Sequence, residues 1–322
     1  MRVLVFSVAQ HDLDLLIPAL TRAGYDIQTT PSQLNMQTVH SAQGYDAVVT
    51  FVCDDVSAAV INALAAADVK LIVQRAAGID NIDITAAQQA GIQVMRVPAY
   101  SPYAVAEHAV ALLLNLNRHV HTAHQRVLRG NFSLQGLMGF DLHGKTVLVV
   151  GTGRIGQVFA RIMLGFGCEV LAYDPAMPIA DRMPQVEYTE LAAGIARARV
   201  ISLHCPLLPA TRHIINAALL EKCRPDAVLI NTSRGAVVDT AAVVATLNKG
   251  QLAAYGADVY ENESCIFFRD CSECGYDDAF LAELLKMSNV LLTPHQAFFT
   301  REALEGIATA TVQNLADFAS KP

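Results

Sequence analysis

In the first third of the chain the apolar positions fall in short unbroken runs, RVLVFSV, YDAVVTF and KLIVQRAAG, separated by the helix-like segments HDLDLLIPALTRAG and VSAAVINALAAADV. An unbroken apolar run flanked by turn residues marks a strand covered on both faces. Its alternation with helical segments predicts a parallel sheet with helices on its faces. The pattern changes after GIQVMRVPAYSP, where the Pro-bounded segment 98–102 reads as a hinge. Beyond it SPYAVAEHAVALLLNLNRHVHTAHQRVLRG predicts one long helix, with Ser101 as N-cap, Pro102 in the first turn and Gly130 at the end. Its histidines, arginines and glutamate make it a core or subunit-interface helix rather than a membrane span.

The strand–helix rhythm restarts at TVLVVG and continues through EVLAYD, VISLHC, AVLINTS, AAYGADVY and NVLLTPH. The helix-like tail after Gln296 is too short for a domain and is expected to return to the first sheet. The fold class is therefore α/β: two Rossmann-like or flavodoxin-like doubly wound parallel-sheet domains with a cleft between them. The expected division is 1–99 plus 297–322 as the substrate domain and 100–296 as the nucleotide domain.

Composition narrows the partners. With 53% hydrophobic and 16% charged residues, the 322-residue chain can bury a large core. Its net charge of −7 offers no basic stripe to nucleic acid. The opening MRVLVFSVAQHDLD is too short and too soon charged for a membrane span or a secretory signal, and reads as a buried strand. Seven scattered cysteines suit a reducing, cytoplasmic setting. Cys271 and Cys274 form a CxxC near Cys265, but no second ligand pair accompanies them, so a loop with incidental thiols is expected. His119, His121 and His124, at mixed helical spacing, are read as surface or interface residues rather than metal ligands.

Candidate chemistry begins at TVLVVGTGRIGQVFARIMLGFG. Gly151, Gly153 and Gly156 follow an apolar strand and open a helix, with Arg154 and Ile155 inside the fingerprint. The first glycine permits the tight turn, the second lets a pyrophosphate approach the backbone, and the third lets helix and strand pack closely. The helix N-terminus supplies amide donors for phosphate. Asp174, ending the next strand, can accept ribose hydroxyls and repels a 2′-phosphate, so NAD is the expected cofactor. The loops SLHCPLLPATRH, with Cys205, Pro206 and Thr211, and NTSRGAVVDT, with Thr232 and Ser233, follow strands of the same sheet. Both are expected to touch the cofactor, because ligands bind beyond the carboxyl ends of such strands.

Three more residues stand at strand ends: Arg234 after AVLINTS, a glutamate after ADVY, and His295 after NVLLTP. An arginine can polarise a carbonyl and fork onto a carboxylate. A histidine can exchange the proton that balances hydride transfer, and a neighbouring carboxylate stabilises its charged form and fixes its tautomer. The set suits interconversion of a 2-keto acid and a 2-hydroxy acid. The segment ADVYENES offers two carboxylates, Glu261 and Glu263. Residues two apart in an extended segment point the same way, so spacing alone does not choose between them.

The chain resembles the D-isomer-specific 2-hydroxyacid dehydrogenases over nearly its whole length: RAAGIDNIDI, VPAYSPYAVAEH, GTGRIG, SLHCPLLPATRHIIN, NTSRGAVVDT, GADVYENE and TPHQAFFTREAL. Within that family it looks most like the bacterial fermentative D-lactate dehydrogenases, through ENE, the FF that follows it and HQAFFTREAL. The resemblance implies that Arg234 binds the keto acid, that His295 is the acid/base and that Glu263 is its partner, leaving Glu261 as a surface or hinge carboxylate. It also implies that Asp258 and Tyr100 line the site, Asp258 on the cofactor side, and that the amides of Ala77 and Gly78 hold the substrate carboxylate. Phe51, Tyr100, Phe298 and Phe299 suggest a small apolar pocket, with no extra arginine there to receive a phosphate. Reduction of pyruvate to D-lactate with NADH is the expected reaction. A bulkier 2-keto acid is the alternative, and an NAD(H)-responsive binding protein a more remote one. A homo-oligomer, dimer or tetramer, is expected.

Overall fold

The computed structural model describes residues 1–320; residues 321–322, part of the expected return segment, and the side chain of Cys265 lie outside the described set. The chain forms two compact units, dividing between Ser101 and Pro102 and again between Ala297 and Phe298.

The first unit is built on five strands: β1 (Arg2–Val5), β2 (Asp26–Thr29), β3 (Ala47–Thr50), β4 (Leu71–Gln74) and β5 (Gln93–Arg96). They lie in the order β2-β1-β3-β4-β5, every pair parallel. β3 and β4 are buried at every position, as central strands between two helical layers must be. One face packs Val48 and Ile72 with Val60, Ile61 and Leu64 of the helix Ala58–Ala66. The other packs Val3, Val49 and Val73 with Leu20, Ala308 and Leu315, so the helix Arg301–Ala319 belongs to this sheet. Thr300 caps that helix by accepting from the Ala303 amide at 3.2 Å, a contact worth about 1 kcal/mol.

The second unit has seven strands: β6 (Thr146–Val150), β7 (Glu169–Tyr173), β8 (Glu187–Tyr188), β9 (Val200–Leu203), β10 (Val228–Asn231), β11 (Ala254–Ala257) and β12 (Val290–Leu292). Their order is β12-β11-β10-β9-β6-β7-β8, all parallel. The chain starts in the middle at β6, builds outward to β8, then returns to β9 on the other side. The gap between the β6 and β9 loops is therefore a topological switch point, where open α/β sheets bind ligands.

The expected single helix over 101–130 is two, Pro102–Arg118 and Val120–Leu128. His119 breaks it with a left-handed backbone, φ 50°. The Asn115 side chain reaches across the break and accepts from the His121 amide at 2.9 Å, capping the second helix. Leu112, Leu113 and Leu116 of the first helix are buried, whereas the second helix buries nothing within its own chain.

Candidate active site

β6 leads into Gly151, whose φ of +92° lies in the region only glycine enters easily. A Cβ there would lie 2.7 Å from the Cys205 nitrogen and 2.9 Å from its Cα, so the turn seats directly on the loop after β9. A Cβ at Gly156 would strike the Gly151 carbonyl, whereas one at Gly153 would meet nothing within 4 Å. The helix Arg154–Gly165 thus begins at an open backbone, with no side-chain cap on its first amides. Arg154 is exposed there and Ile155 partly buried.

Asp174 follows β7. Its Oδ2 accepts from the Thr152 amide at 2.7 Å and hydroxyl at 3.0 Å, and its Oδ1 from the Ala176 amide at 3.1 Å. Those three bonds leave acceptor capacity on a partly exposed carboxylate. Beyond β9, Thr211 Oγ1 donates to the Pro206 carbonyl at 2.6 Å and accepts from the Leu208 amide at 2.7 Å, closing the loop that starts at Cys205. Burial pushes the Cys205 thiol up to about 11, so it stays a protonated thiol. After β10, the Ser233 amide and hydroxyl both donate to Asn231 Oδ1. The neighbouring Thr232 hydroxyl is buried and has no partner within the chain. An open helix N-terminus, a strand-end carboxylate and an orphaned buried hydroxyl together fit a bound dinucleotide.

Arg234, Glu263 and His295 follow β10, β11 and β12, three adjacent strands. Arg234 Nη1 donates to the Ser233 carbonyl at 2.8 Å, and the Arg234 carbonyl accepts from Asn231 Nδ2 at 3.0 Å. The Arg234 turn is locked to the Glu263 turn through Gly235: a Cβ there would collide with the Tyr260 carbonyl carbon and oxygen and the Glu261 nitrogen. His295, at φ 57°, presents Nδ1 to Glu263 Oε1 at 2.7 Å, with side-chain exposures of 15% and 20%. The carboxylate acceptor puts the proton on Nδ1 and leaves Nε2 as the other working nitrogen of the ring. Glu263 Oε2 accepts from the Tyr260 amide at 2.7 Å, so both of its oxygens are fixed.

The geometry answers what spacing could not. Residues 261–263 form a turn rather than an extended segment, so the two carboxylates diverge. Glu263 reaches His295. Glu261, expected as a surface or hinge carboxylate, is partly buried: its side chain is 17% exposed, and its Oε1 accepts from His213 Nε2 at 2.6 Å and lies 3.4 Å from Arg212 Nη2.

A buried network behind His295 was missed. Asp258, expected among the cofactor contacts, is fully buried with both oxygens engaged. Oδ1 accepts from the Thr293 hydroxyl at 2.5 Å and the Gln296 amide at 2.8 Å, and Oδ2 from the Ala297 amide at 2.7 Å. His108 Nε2 lies 3.0 Å from Thr293 Oγ1 and 3.4 Å from Asp258 Oδ1. Because the Thr293 hydroxyl spends its proton on Asp258, His108 must donate to it. These bonds bracket His295 on both sides. The helix pattern showed His108 only as a polar position among apolar ones.

The remaining expected residues belong to the first unit. Ala77 and Gly78 lie beyond β4, their carbonyls accepting from Arg96 Nη1 at 2.6 Å and Gln74 Nε2 at 3.3 Å. Phe298 packs against Phe51 and Tyr100, at ring-centroid distances of 5.9 and 6.5 Å. Phe51 and Phe298 are buried in that cluster, while Phe299 is exposed and sits edge-on to His11. Arg75, which opens the RAAG turn, was also missed. It is buried over the Phe51 ring and donates to the Phe6 and Ser7 carbonyls and to Asp12, so its guanidinium serves the fold.

A glycine-rich turn at the switch point, flanked by a row of polar strand ends, places the protein in the class of nucleotide-dependent α/β dehydrogenases. The sequence model of the D-isomer-specific 2-hydroxyacid dehydrogenase NAD-binding domain matches residues 110–297. The chain is 42% identical to the D-lactate dehydrogenase of Escherichia coli over 317 residues, covering 98% of this chain and 96% of that protein. The structure of the pyruvate reductase of Chlamydomonas reinhardtii aligns with a TM-score of 0.92 at 43% identity, covering 100% of this chain and 97% of that one. The D-lactate dehydrogenase of Aquifex aeolicus, solved with NAD and lactic acid, aligns at 0.88 with 31% identity, covering 98% and 95%. The chain belongs to the D-isomer-specific 2-hydroxyacid dehydrogenases, and its cofactor is NAD.

Proposed function

We propose that this protein is an NAD-dependent D-lactate dehydrogenase that reduces pyruvate to D-lactate. The observation that carries the mechanism is the 2.7 Å contact between His295 Nδ1 and Glu263 Oε1, on the strand end next to that of Arg234. The Arg234 guanidinium forks onto the keto acid and polarises its carbonyl. His295 gives its Nε2 proton to the carbonyl oxygen as the alcohol forms, while Glu263 keeps the ring oriented and balances its charge. When bound, NADH supplies the hydride to the carbonyl carbon. Gly151, Gly153 and Gly156, with the first amides of the following helix, would hold the pyrophosphate and Asp174 the ribose, and the Thr232 hydroxyl would be open to the same cofactor. In the first unit, Ala77, Gly78, Tyr100 and Phe298 are the residues we assign to the substrate.

A second copy of the chain is the partner we assign to residues 120–138. Val120, Leu128, Phe132, Leu134 and Met138 are exposed by 56, 66, 74, 83 and 91%. An apolar run of that kind marks a contact surface. Among the described residues no helix is long and apolar enough to cross a membrane. The free thiols there, Cys53, Cys168, Cys205, Cys223, Cys271 and Cys274, fit a reducing cytoplasm.

The test follows NADH oxidation with pyruvate, beside phenylpyruvate, hydroxypyruvate and an NADPH control, with chiral analysis of the product. Turnover with pyruvate and NADH giving D-lactate is expected. Preference for phenylpyruvate moves the substrate to a bulkier keto acid, and NADH binding without any turnover removes the enzymatic reading.

A further inference from the structure

The motif reading gives work to only one of the two glutamates in ADVYENES, yet the structure invests heavily in the other. Glu261 gathers donors from two separate segments. Its Oε1 accepts from His213 Nε2 at 2.6 Å, with Arg212 Nη2 at 3.4 Å, and its Oε2 lies 3.5 Å from the Thr240 amide that opens the helix Thr240–Asn248. A solvated loop charge would pay side-chain entropy for such a geometry and gain little.

His213 is itself fixed by its main chain. It adopts φ 50°, donates its amide to the Ala236 carbonyl at 2.9 Å and accepts from Asn216 Nδ2 at 3.2 Å. The Glu261–His213 contact therefore ties together the loop after β9, the Arg234–Val237 turn and the turn after β11. Tyr260, on the other side, is anchored by its hydroxyl, which donates to Asp278 Oδ1 at 2.6 Å. The turn is held at both ends.

What the turn holds is the Glu263 carboxylate. The Tyr260 amide donates to Glu263 Oε2 at 2.7 Å, and the Glu263 amide to the Tyr260 carbonyl at 3.3 Å. The direction of the Glu263 side chain is thus set by the pitch of residues 260–263, and Glu261 sits within that turn. We propose that Glu261 and His213 form a positioning pair: by clamping the 260–263 turn they hold the Glu263 carboxylate on His295, without touching substrate or cofactor themselves. The inference rests on the role given above to Glu263 and His295.

The test is a double-mutant cycle on the full-length protein. Glu261→Ala is expected to lower kcat for pyruvate reduction by an order of magnitude or more, since misplacement near 1 Å costs on the order of 100-fold. The Kd for NADH should stay within about twofold, and the KM for pyruvate, which depends on the Arg234 turn tied to the same pair, should change less than kcat. Glu261→Gln, which keeps an acceptor for His213, should recover most of the loss, and His213→Ala should reproduce it. In a Glu263→Gln background Glu261→Ala should cost nothing further, because residues acting through one another are non-additive. Hydrogen exchange of the unliganded protein supplies a readout apart from turnover: the Tyr260 amide should exchange faster in Glu261→Ala. A kcat near native, or an equal loss in both backgrounds, overturns the positioning role. If Glu263→Gln alone leaves kcat unchanged, the role of Glu263 fails first and the pair falls with it.

Discussion

Gly235→Ala adds one methyl group where the Arg234 turn crosses the Glu263 turn. The new carbon would overlap three backbone atoms, the Tyr260 carbonyl carbon and oxygen and the Glu261 nitrogen, none of which can rotate away as a side chain can. Restoring an ordinary contact of about 3.5 Å would force the two backbones apart by about 1 Å or more. Overpacking of this kind costs about 1–3 kcal/mol. For a chain of this size that lowers Tm by roughly 1–5 °C. The catalytic cost is larger in proportion, because the same movement separates Arg234 from the Glu263–His295 pair. We expect kcat/KM for pyruvate to fall on the order of 100-fold, with far-UV circular dichroism unchanged. Thermal unfolding and the decay of NADH absorbance measure the two effects on one preparation. A variant with kcat/KM within about twofold of native and an unaltered Tm would refute the argument, since the two turns would then have room the structure does not give them.

His295→Gln should reduce kcat by about 10²–10⁴-fold while the Kd for NADH, measured by fluorescence quenching, stays near native; normal turnover would remove His295 from the chemistry. Arg234→Lys should raise KM for pyruvate and lower kcat, since one ammonium cannot reproduce the fork, and steady-state kinetics checks it. Burial pushes His204 down to about 3, with its ring against Phe159 and its Nδ1 buried without a partner. The unfolded chain takes up that proton near pH 6.5, so it binds more protons than the native state between pH 6.5 and about 3, and stability falls as pH drops through that window. Between pH 6.5 and 4.5 the loss from this site is about 2 kcal/mol. Denaturant unfolding at the two pH values should show a smaller loss in His204→Gln.

Strands covered on both faces were legible as apolar runs. VISL and VLIN are buried at every position, and the glycine fingerprint sits between strand and helix where the motif requires it. β2 was not legible, because an edge strand that buries almost nothing, DIQT, carries no apolar signal. Nor was the break at His119, since NLNRHVHTAH remains compatible with a continuous helix until the Asn115 cap is seen. The choice between Glu261 and Glu263 depended on a turn that alternation cannot reveal. The Asp258 and Arg75 networks join residues far apart in sequence, such as Arg75 and Asp12, and no local pattern encodes such pairs.

β12, which carries His295 just beyond its end, is the last strand of its sheet, pairs among the described residues with β11 alone and is no more than partly buried along its length. Edge elements of this kind occupy the low end of the stability scale and open before the core does. The β6–β7–β9 centre, on which the nucleotide loop is built, has no such weakness. Partial opening at the edge is therefore expected to give a species that keeps its nucleotide fold while His295 leaves its contact with Glu263. Loss of turnover on heating or in denaturant is then expected to precede the global melting of the unit.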